Sequence, residues 1–328
     1  MKLTTLVKSL AIATALFSPV TMAETTTVSP HLETQENQVA GYFRLALDPN
    51  TTITALYDGP VNLPTKWLRG IDAKEANAIF EQFFMPLTAD GVQTSVNAYL
   101  VKQGEQFTLI DAGAAKCFGD DLGNIIKNLN ASGVKAEQIN NVFVTHLHPD
   151  HACGVTTVEG EMAFPNATLY APQEDAEYWL GEKITHSESE HDQVYFKAAR
   201  ATVAPYQKAN RFNTFKKGEN PVAGIETLDE FGHSPGMSGY LVGSGDKRLL
   251  VWGDIIHSHS IQLKNPNISV EVDTDQEKAI ATRKRILTLV EEGKLLVAAA
   301  HLPFPGIGHI IKEGEGYRWL PVEFLPLK

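Results

Sequence analysis

The chain has 328 residues, a formal net charge of −11 and 43% hydrophobic residues, enough for one large α/β domain or two smaller ones. Its 28 Lys and Arg form no basic stripe against 39 Asp and Glu, which argues against nucleic acid and anionic membrane surfaces as partners. Composition is otherwise ordinary for a globular protein, so fibrous and low-complexity classes are excluded.

Met1–Ala23 reads as a secretory signal peptide: Lys2 and Lys8, apolar Leu10–Phe17, then Thr21 and Ala23 three and one before a cut. That apolar core is too short for a stable membrane span, and no later run approaches the ~18 apolar residues a span requires. The expectation is a soluble mature chain in a bacterial periplasm or the medium. Residues 24–40 read as a flexible polar leader and residues 41–328 as the folded domain.

Tyr42–Leu47 and Thr52–Tyr57 flank Asp48-Pro49-Asn50-Thr51 and predict a hairpin. Lys74 to Met85 has helical spacing, with Ala78, Phe80, Phe83 and Phe84 apolar. Ser95–Val101 and Phe107–Ile110 predict a second hairpin, ending in Asp111-Ala112-Gly113. Asp120–Asn130 reads as an amphipathic helix stopped by Gly133. Ala167–Tyr170 is a strand, followed by helices through Tyr178-Trp179-Leu180 and over Asp192–Tyr206. Gly224–Leu228, Leu249–Trp252 and Leu295–Ala300 are further strands. Thr274–Glu292 is a helix with Thr274 and Glu277 as capping box and Gly293 as stop.

The chemistry concentrates in Thr145–Gly154. Val142-Phe143-Val144 reads as a buried strand, and directly after it come His146, His148, Asp150 and His151. Residues two apart on an extended segment face one side, so His146 and His148 can meet one ion. Asp150 and His151 follow a proline bend and can reach a second ion. Imidazole and carboxylate donors suit zinc and related divalent metals, but four ligands are needed for each. Later strands supply candidates where they end: His233 in Phe231–Gly236, Asp254 after Trp252-Gly253, and His301 after Ala300. Loops beyond the carboxyl ends of strands are where layered α/β folds bind ligands. Cys117 and Cys153 are an even pair near these segments; a disulfide and two free thiols both stand open.

This constellation resembles the metallo-β-lactamase superfamily, whose His-x-His-x-Asp-His signature stands here as His146-Leu147-His148-Pro149-Asp150-His151. Gly232–Gly236, Gly253-Asp254 and Ala300-His301 match its remaining ligand segments. Within that superfamily, Gly41–Arg44, Thr94–Asn97, Ala300–His309 and Gly316–Arg318 are similar to the methyl parathion hydrolase-like group. The resemblance implies an α/β fold: an αββα sandwich of two mixed sheets flanked by helices.

It also implies two divalent cations, with zinc the expected pair. His146, His148 and His233 would hold one, Asp150, His151 and His301 the other, and Asp254 would bridge them. Asp150 and Asp254 are then the catalytic carboxylates, acting with a water activated between the ions. Asp111 and His309 are candidates for orienting ligands from behind. Phe118, Trp179 and Phe196 match aromatic positions of the leaving-group pocket, whereas His257 and His259 are expected to be loop residues that make the wall more polar. The implied activity is hydrolysis of a small-molecule substrate, an organophosphate triester or aryl ester. Lactonase action on acyl-homoserine lactones is the alternative, and a non-catalytic metal-binding protein the remote one. Relatives further imply a homodimer.

Overall fold

The alternation read from the sequence closes into two sheets in a computed structural model, which describes residues 41–181 and 190–324. The expected signal peptide and leader lie outside those residues. In the first sheet the order is Tyr42–Ala46, Thr51–Leu63, Gly91–Gln103, Gln106–Ile110, Asn141–Phe143, Thr168–Pro172 and Phe212–Phe215, with Leu87–Thr88 paired off Gly91–Gln103. Its hairpin half is antiparallel, and the pairings from Gln106–Ile110 onward are parallel. The second sheet runs Ile225–Asp229, Ser238–Ser244, Lys247–Trp252, Leu296–Ala299, Ile307–Glu313 and Gly316–Pro321. Its parallel pair, Lys247–Trp252 with Leu296–Ala299, needs a crossover, and helix Gln276–Glu292 supplies it.

Three cores define the layers. Ile53, Tyr99, Ile110 and Phe143 from the first sheet pack against Tyr240, Val242, Leu249 and Val251 from the second. The outer face of the first sheet is covered by helices Ile125–Ala131, Gln173–Leu180 and Glu190–Lys208, through Ile125, Leu129, Ala176, Phe196 and Val203. Ile286, Leu287 and Val290 of helix Gln276–Glu292 cover the second sheet against Leu250, Trp252 and Val297. This is the αββα order, with apolar faces buried on both sides of each sheet. No described helix is long and apolar enough to cross a membrane.

Two boundaries differ from the sequence reading for local reasons. A bulge between Tyr57 and Gly59 turns fully buried Asp58 inward, and its carboxylate accepts the N–H groups of Ala114, Gly123 and Ile125. Residues up to Asn124 are committed to that contact, so the helix begins at Ile125 rather than near Asp120. Helix Gln276–Glu292 is capped by Asp275, which accepts from Lys278 N at 3.0 Å. Thr274 instead donates its hydroxyl to the His233 carbonyl at 2.8 Å.

Candidate metal centre

Strand Asn141–Phe143 stops where Val144 N bonds the Tyr170 carbonyl, and the chain then carries His146 and His148 into the interior. Asp111 fixes this departure. Its Oδ1 accepts from Thr145 N at 2.7 Å and its Oδ2 from the Thr145 hydroxyl at 3.0 Å. Asp111 adopts φ 58°, a left-handed conformation that non-glycine residues seldom take and that surrounding bonds must enforce. Leu147 N donates to Asp175 at 2.7 Å, and His148 caps the short helix Pro149–Ala152 that presents Asp150 and His151. From the second sheet come His233, Asp254 and His301. Gly232 is required before His233, because at φ 135° a Cβ would lie 2.3 Å from Ala279 N.

The seven expected ligands converge. Donor atoms of His146, His148, His233 and Asp254 lie within 4.8 Å of one another, as do those of Asp150, His151 and His301. Asp254 links the two groups. Its Oδ2 lies 3.1 Å from His233 Nε2, and its Oδ1 lies 3.0 Å from His151 Nε2 and 3.2 Å from His301 Nε2.

The outer ring nitrogens are spoken for. His151 Nδ1 meets Asp111 at 2.8 Å, His233 Nδ1 meets Asp273 at 2.8 Å, and His301 Nδ1 meets the Ser95 carbonyl at 2.9 Å. A neutral imidazole has one donor nitrogen and one acceptor. With Nδ1–H given outward, the Nε2 lone pairs face inward on Asp254, an arrangement typical of metal-bound histidine.

Electrostatics lead to the same donor set. Burial lowers His146 and His148 well below the ordinary imidazole pKa, with neighbouring imidazoles reinforcing it, so both stay neutral and ready to ligate. Burial also pushes His151 and His233 down, but Asp254 and the other nearby carboxylates outweigh it. His151 ends well above its ordinary value and His233 at about 9, so Asp254 draws onto their Nε2 atoms protons that a bound cation would displace. Burial opposes ionisation of Asp254, yet His151, His301 and His233 hold its carboxyl well below the usual range. The ionised carboxylates therefore call for positive charge between the rings. His151 Nε2 and Asp254 Oδ1 lie 3.0 Å apart without hydrogen-bond geometry, and His146 Nε2 has no hydrogen-bond partner either; all three are buried, a costly state for polar atoms unless a cation meets them. The residues present fit a pair of divalent cations.

A cavity of about 390 Å³ opens onto the cluster. Val61, Leu63, Trp67, Phe118, Val194, Tyr195 and Val272 form its apolar wall, and Asn62 and Thr94 add polar groups. Of the three aromatics expected there, Phe118 lines this cavity and Trp179 and Phe196 do not. Both are only 4% exposed, with ring centroids 4.8 Å apart in the helical layer. Trp179 donates to the Ser234 hydroxyl at 3.0 Å and packs on His148, while Val194 and Tyr195 face the cavity instead.

His257 lies in a loop and lines the cavity as expected, and it also reaches the cluster. It is buried, its Nε2 is 3.0 Å from Asp254 Oδ2, and its ring stacks on His301 at 5.1 Å. It forms a third donor group with Asp254 and His301. His259 is half-buried and belongs to none of these groups. His309 is exposed and bonds the Leu295 carbonyl, so it does not support the cluster.

Two buried carboxyls brace the centre from behind. Burial raises Asp175 to about 7 and Glu230 to about 8, against donation from Leu147 N and Gly253 N respectively. A carboxyl whose pKa rises on folding retains a proton that the unfolded chain releases. Its stabilising contribution is full below the unfolded value and is lost as pH climbs through the folded one. Stability should therefore fall between pH 4.5 and about 8, the ordinary and folded values for Glu230. Glu230→Gln is expected to flatten that decline, read as urea midpoints across this range. An unchanged slope would remove Glu230 as its source.

A family model described as the metallo-beta-lactamase superfamily matches residues 91–310. Among solved structures, the hydrolase AbOPH, described as in the beta lactamase superfamily, is 36% identical with a TM-score of 0.83, covering 88% of this chain and 100% of its own. AidC, described as a dizinc quorum-quenching lactonase in complex with a product, is 24% identical with a TM-score of 0.80, covering 88% and 100%. A quorum-quenching N-acyl homoserine lactone lactonase is 19% identical with a TM-score of 0.55, covering 78% and 97%. The last two likenesses show the fold alone. No curated protein matches the chain.

Proposed function

Because this chain belongs to the metallo-β-lactamase superfamily, we propose that its metal-dependent hydrolase chemistry is directed at neutral, apolar esters, with aryl organophosphate triesters and aryl esters as the leading class. The carrying observation is the cavity: among the described residues its wall is largely apolar and contains no Lys or Arg, so the body of a substrate meets apolar side chains and only the group at the cluster need be polar. Its size suits a small organic ligand.

His146, His148 and His233 would hold one cation, and Asp150, His151 and His301 the other, with Asp254 shared. A pair of divalent cations supplies Lewis-acid polarisation and a water acidified toward neutral pH. The chain's own residues do the remaining work. Asp254 keeps the two imidazole groups at a fixed separation. Asp111, Asp273 and the Ser95 carbonyl hold the outer nitrogens so that the inner ones keep their lone pairs. Asp150, 13% exposed at its side chain, faces the cavity and is placed to carry the proton that passes to the leaving oxygen. Phe118, Trp67 and Tyr195 exclude water and seat the apolar group.

A lactone is the second reading, favoured by the fold neighbours AidC, a quorum-quenching lactonase, and an N-acyl homoserine lactone lactonase. The Cys117–Cys153 disulfide suits export to an oxidising compartment, as the leader residues suggest. Turnover of a dimethyl 4-nitrophenyl phosphate triester, 4-nitrophenyl acetate and hexanoyl-homoserine lactone by the zinc-loaded protein tests the assignment. We expect the aryl substrates to exceed the lactone in kcat/KM by about tenfold or more, the ~1.4 kcal/mol per decade that one well-fitted apolar contact supplies. A lactone preference would transfer the assignment to the second reading, and inertness toward all three would overturn both.

A further inference from the structure

The segment between Ala115 and Asp121 supplies part of the cavity wall through Cys117 and Phe118. Its two ends are anchored on Asp58, which accepts from Ala114 N at 2.8 Å, Gly123 N at 3.1 Å and Ile125 N at 3.2 Å. Between these anchors the described hydrogen bonds stay within the loop: Cys117 N returns to the Ala114 carbonyl, and the Lys116 ammonium meets Asp120. Phe118 leans on the Tyr195 ring at 6.2 Å.

Phe118 also packs on Val96, Ala114 and Leu122, and one further tether is covalent. Cys117 is disulfide-bonded to Cys153, with Cα atoms 6.4 Å apart. Cys153 directly follows helix Pro149–Ala152, which presents Asp150 and His151. That end is rigid. Ala112 N donates to the His151 carbonyl at 2.8 Å and Gly154 N to the Gly113 carbonyl at 2.9 Å. A Cβ on Gly154 would lie 1.8 Å from the Ala112 carbonyl oxygen, so no side chain fits between these backbones.

We propose that the Cys117–Cys153 disulfide is the positioning element of the substrate pocket, clamping the Phe118 wall to the helix that carries Asp150 and His151. The ligand it serves is the aromatic or acyl portion of the substrate, so the proposal rests on the hydrolase reading for what fills the pocket. Without the clamp the loop samples more conformers, and binding must order it at a cost in affinity. The helix that carries Asp150 and His151 is held by its own backbone bonds to Ala112 and Gly113, so the ligands stay in place. The effect therefore falls on KM far more than on kcat.

Cys117 is exposed, so tris(2-carboxyethyl)phosphine can reach the bond. The S–S bond breaks, each sulfur gains a proton as a thiol, and the phosphine becomes its oxide with oxygen from water. Lys116 is the one Lys or Arg between residues 103 and 126, so tryptic cleavage after it reports loop opening. Affinity for 4-nitrophenol or hexanoate, followed by tryptophan fluorescence, reports the pocket without turnover.

On full reduction, and in the C117S/C153S variant, we expect cleavage at Lys116 to rise about tenfold. Ligand Kd should rise about fivefold, with metal content unchanged. Unchanged cleavage, or faster cleavage with unchanged Kd, overturns the proposal. No saturable binding of either probe by the oxidised protein overturns it too. Binding without turnover of any ester or lactone overturns only the hydrolase reading. If the double variant fails to fold, reduction and reoxidation of the natural chain decides.

Discussion

Asp254→Ala is expected to cost about 10³-fold or more in kcat/KM, roughly 4 kcal/mol at 1.36 kcal/mol per decade. The side chain lies between both groups of imidazoles, with Oδ1 toward His151 and His301 and Oδ2 toward His233. Removing it deletes the one group shared by both cation positions, so bound metal should fall from two equivalents to one or fewer. It also removes the charge that draws protons onto His151 and His233. Metal analysis beside steady-state kinetics checks this. A variant that keeps two equivalents and a tenth of its activity would refute the bridging assignment.

Asp273→Ala is expected to be the most damaging change outside the ligand set. Its Oδ1 holds His233 Nδ1 at 2.8 Å, its Oδ2 accepts from Val270 N at 3.0 Å, and Arg283 Nη2 lies 3.8 Å away. Burial works against the charge on Asp273, but His233 and Arg283 outweigh it and keep its carboxyl below the ordinary value. Both Asp273 and Arg283 are buried, so the truncation removes the counter-charge from a guanidinium that keeps only the carbonyls of Ile255, Pro266 and Ile268 as partners. Loss of one partner of such a pair costs about 3–5 kcal/mol, and loss of a carboxylate behind a ligating histidine costs about 10–100-fold in metal affinity. Urea unfolding and competition with a chelator measure the two effects. Asp273→Asn can still accept from Val270 N and should recover part of the stability but less of the metal affinity. Equal recovery of both would show that charge at this position is immaterial.

The ligand set was legible because each member follows a hydrophobic strand, and strand ends in layered α/β folds converge on one side. His233, Asp254 and His301 were readable individually only as candidates; their meeting depended on the sheet order. The supports were far less visible. Asp273 is 40 residues from the histidine it holds, and nothing in spacing marks it. Asp175 and Glu230 appear as ordinary helix-entry and strand-exit acids, and only their burial reveals them. His257 resisted reading because the chain after Asp254 folds back, with Gln262 accepting from His257 N at 2.7 Å. Trp179 and Phe196 show the opposite failure. Family likeness placed them on the cavity wall, but helical phase turns them inward and leaves Val194 and Tyr195 facing the ligand space.

Leu68–Arg69 pairs with Ser269–Val270 in a short ribbon of its own. Trp67 and Val272, just outside that pair, both border the cavity. The rim is thus stitched from chain positions some two hundred residues apart, a separation that makes such pairing a slow and late event. His146 to His151 lie about 150 residues before His301 in the chain, so a cation met before the second sheet docks would find only a partial cage. Lasting capture of a metal pair, and with it an entrance of defined shape, therefore waits on the docking of the last strands.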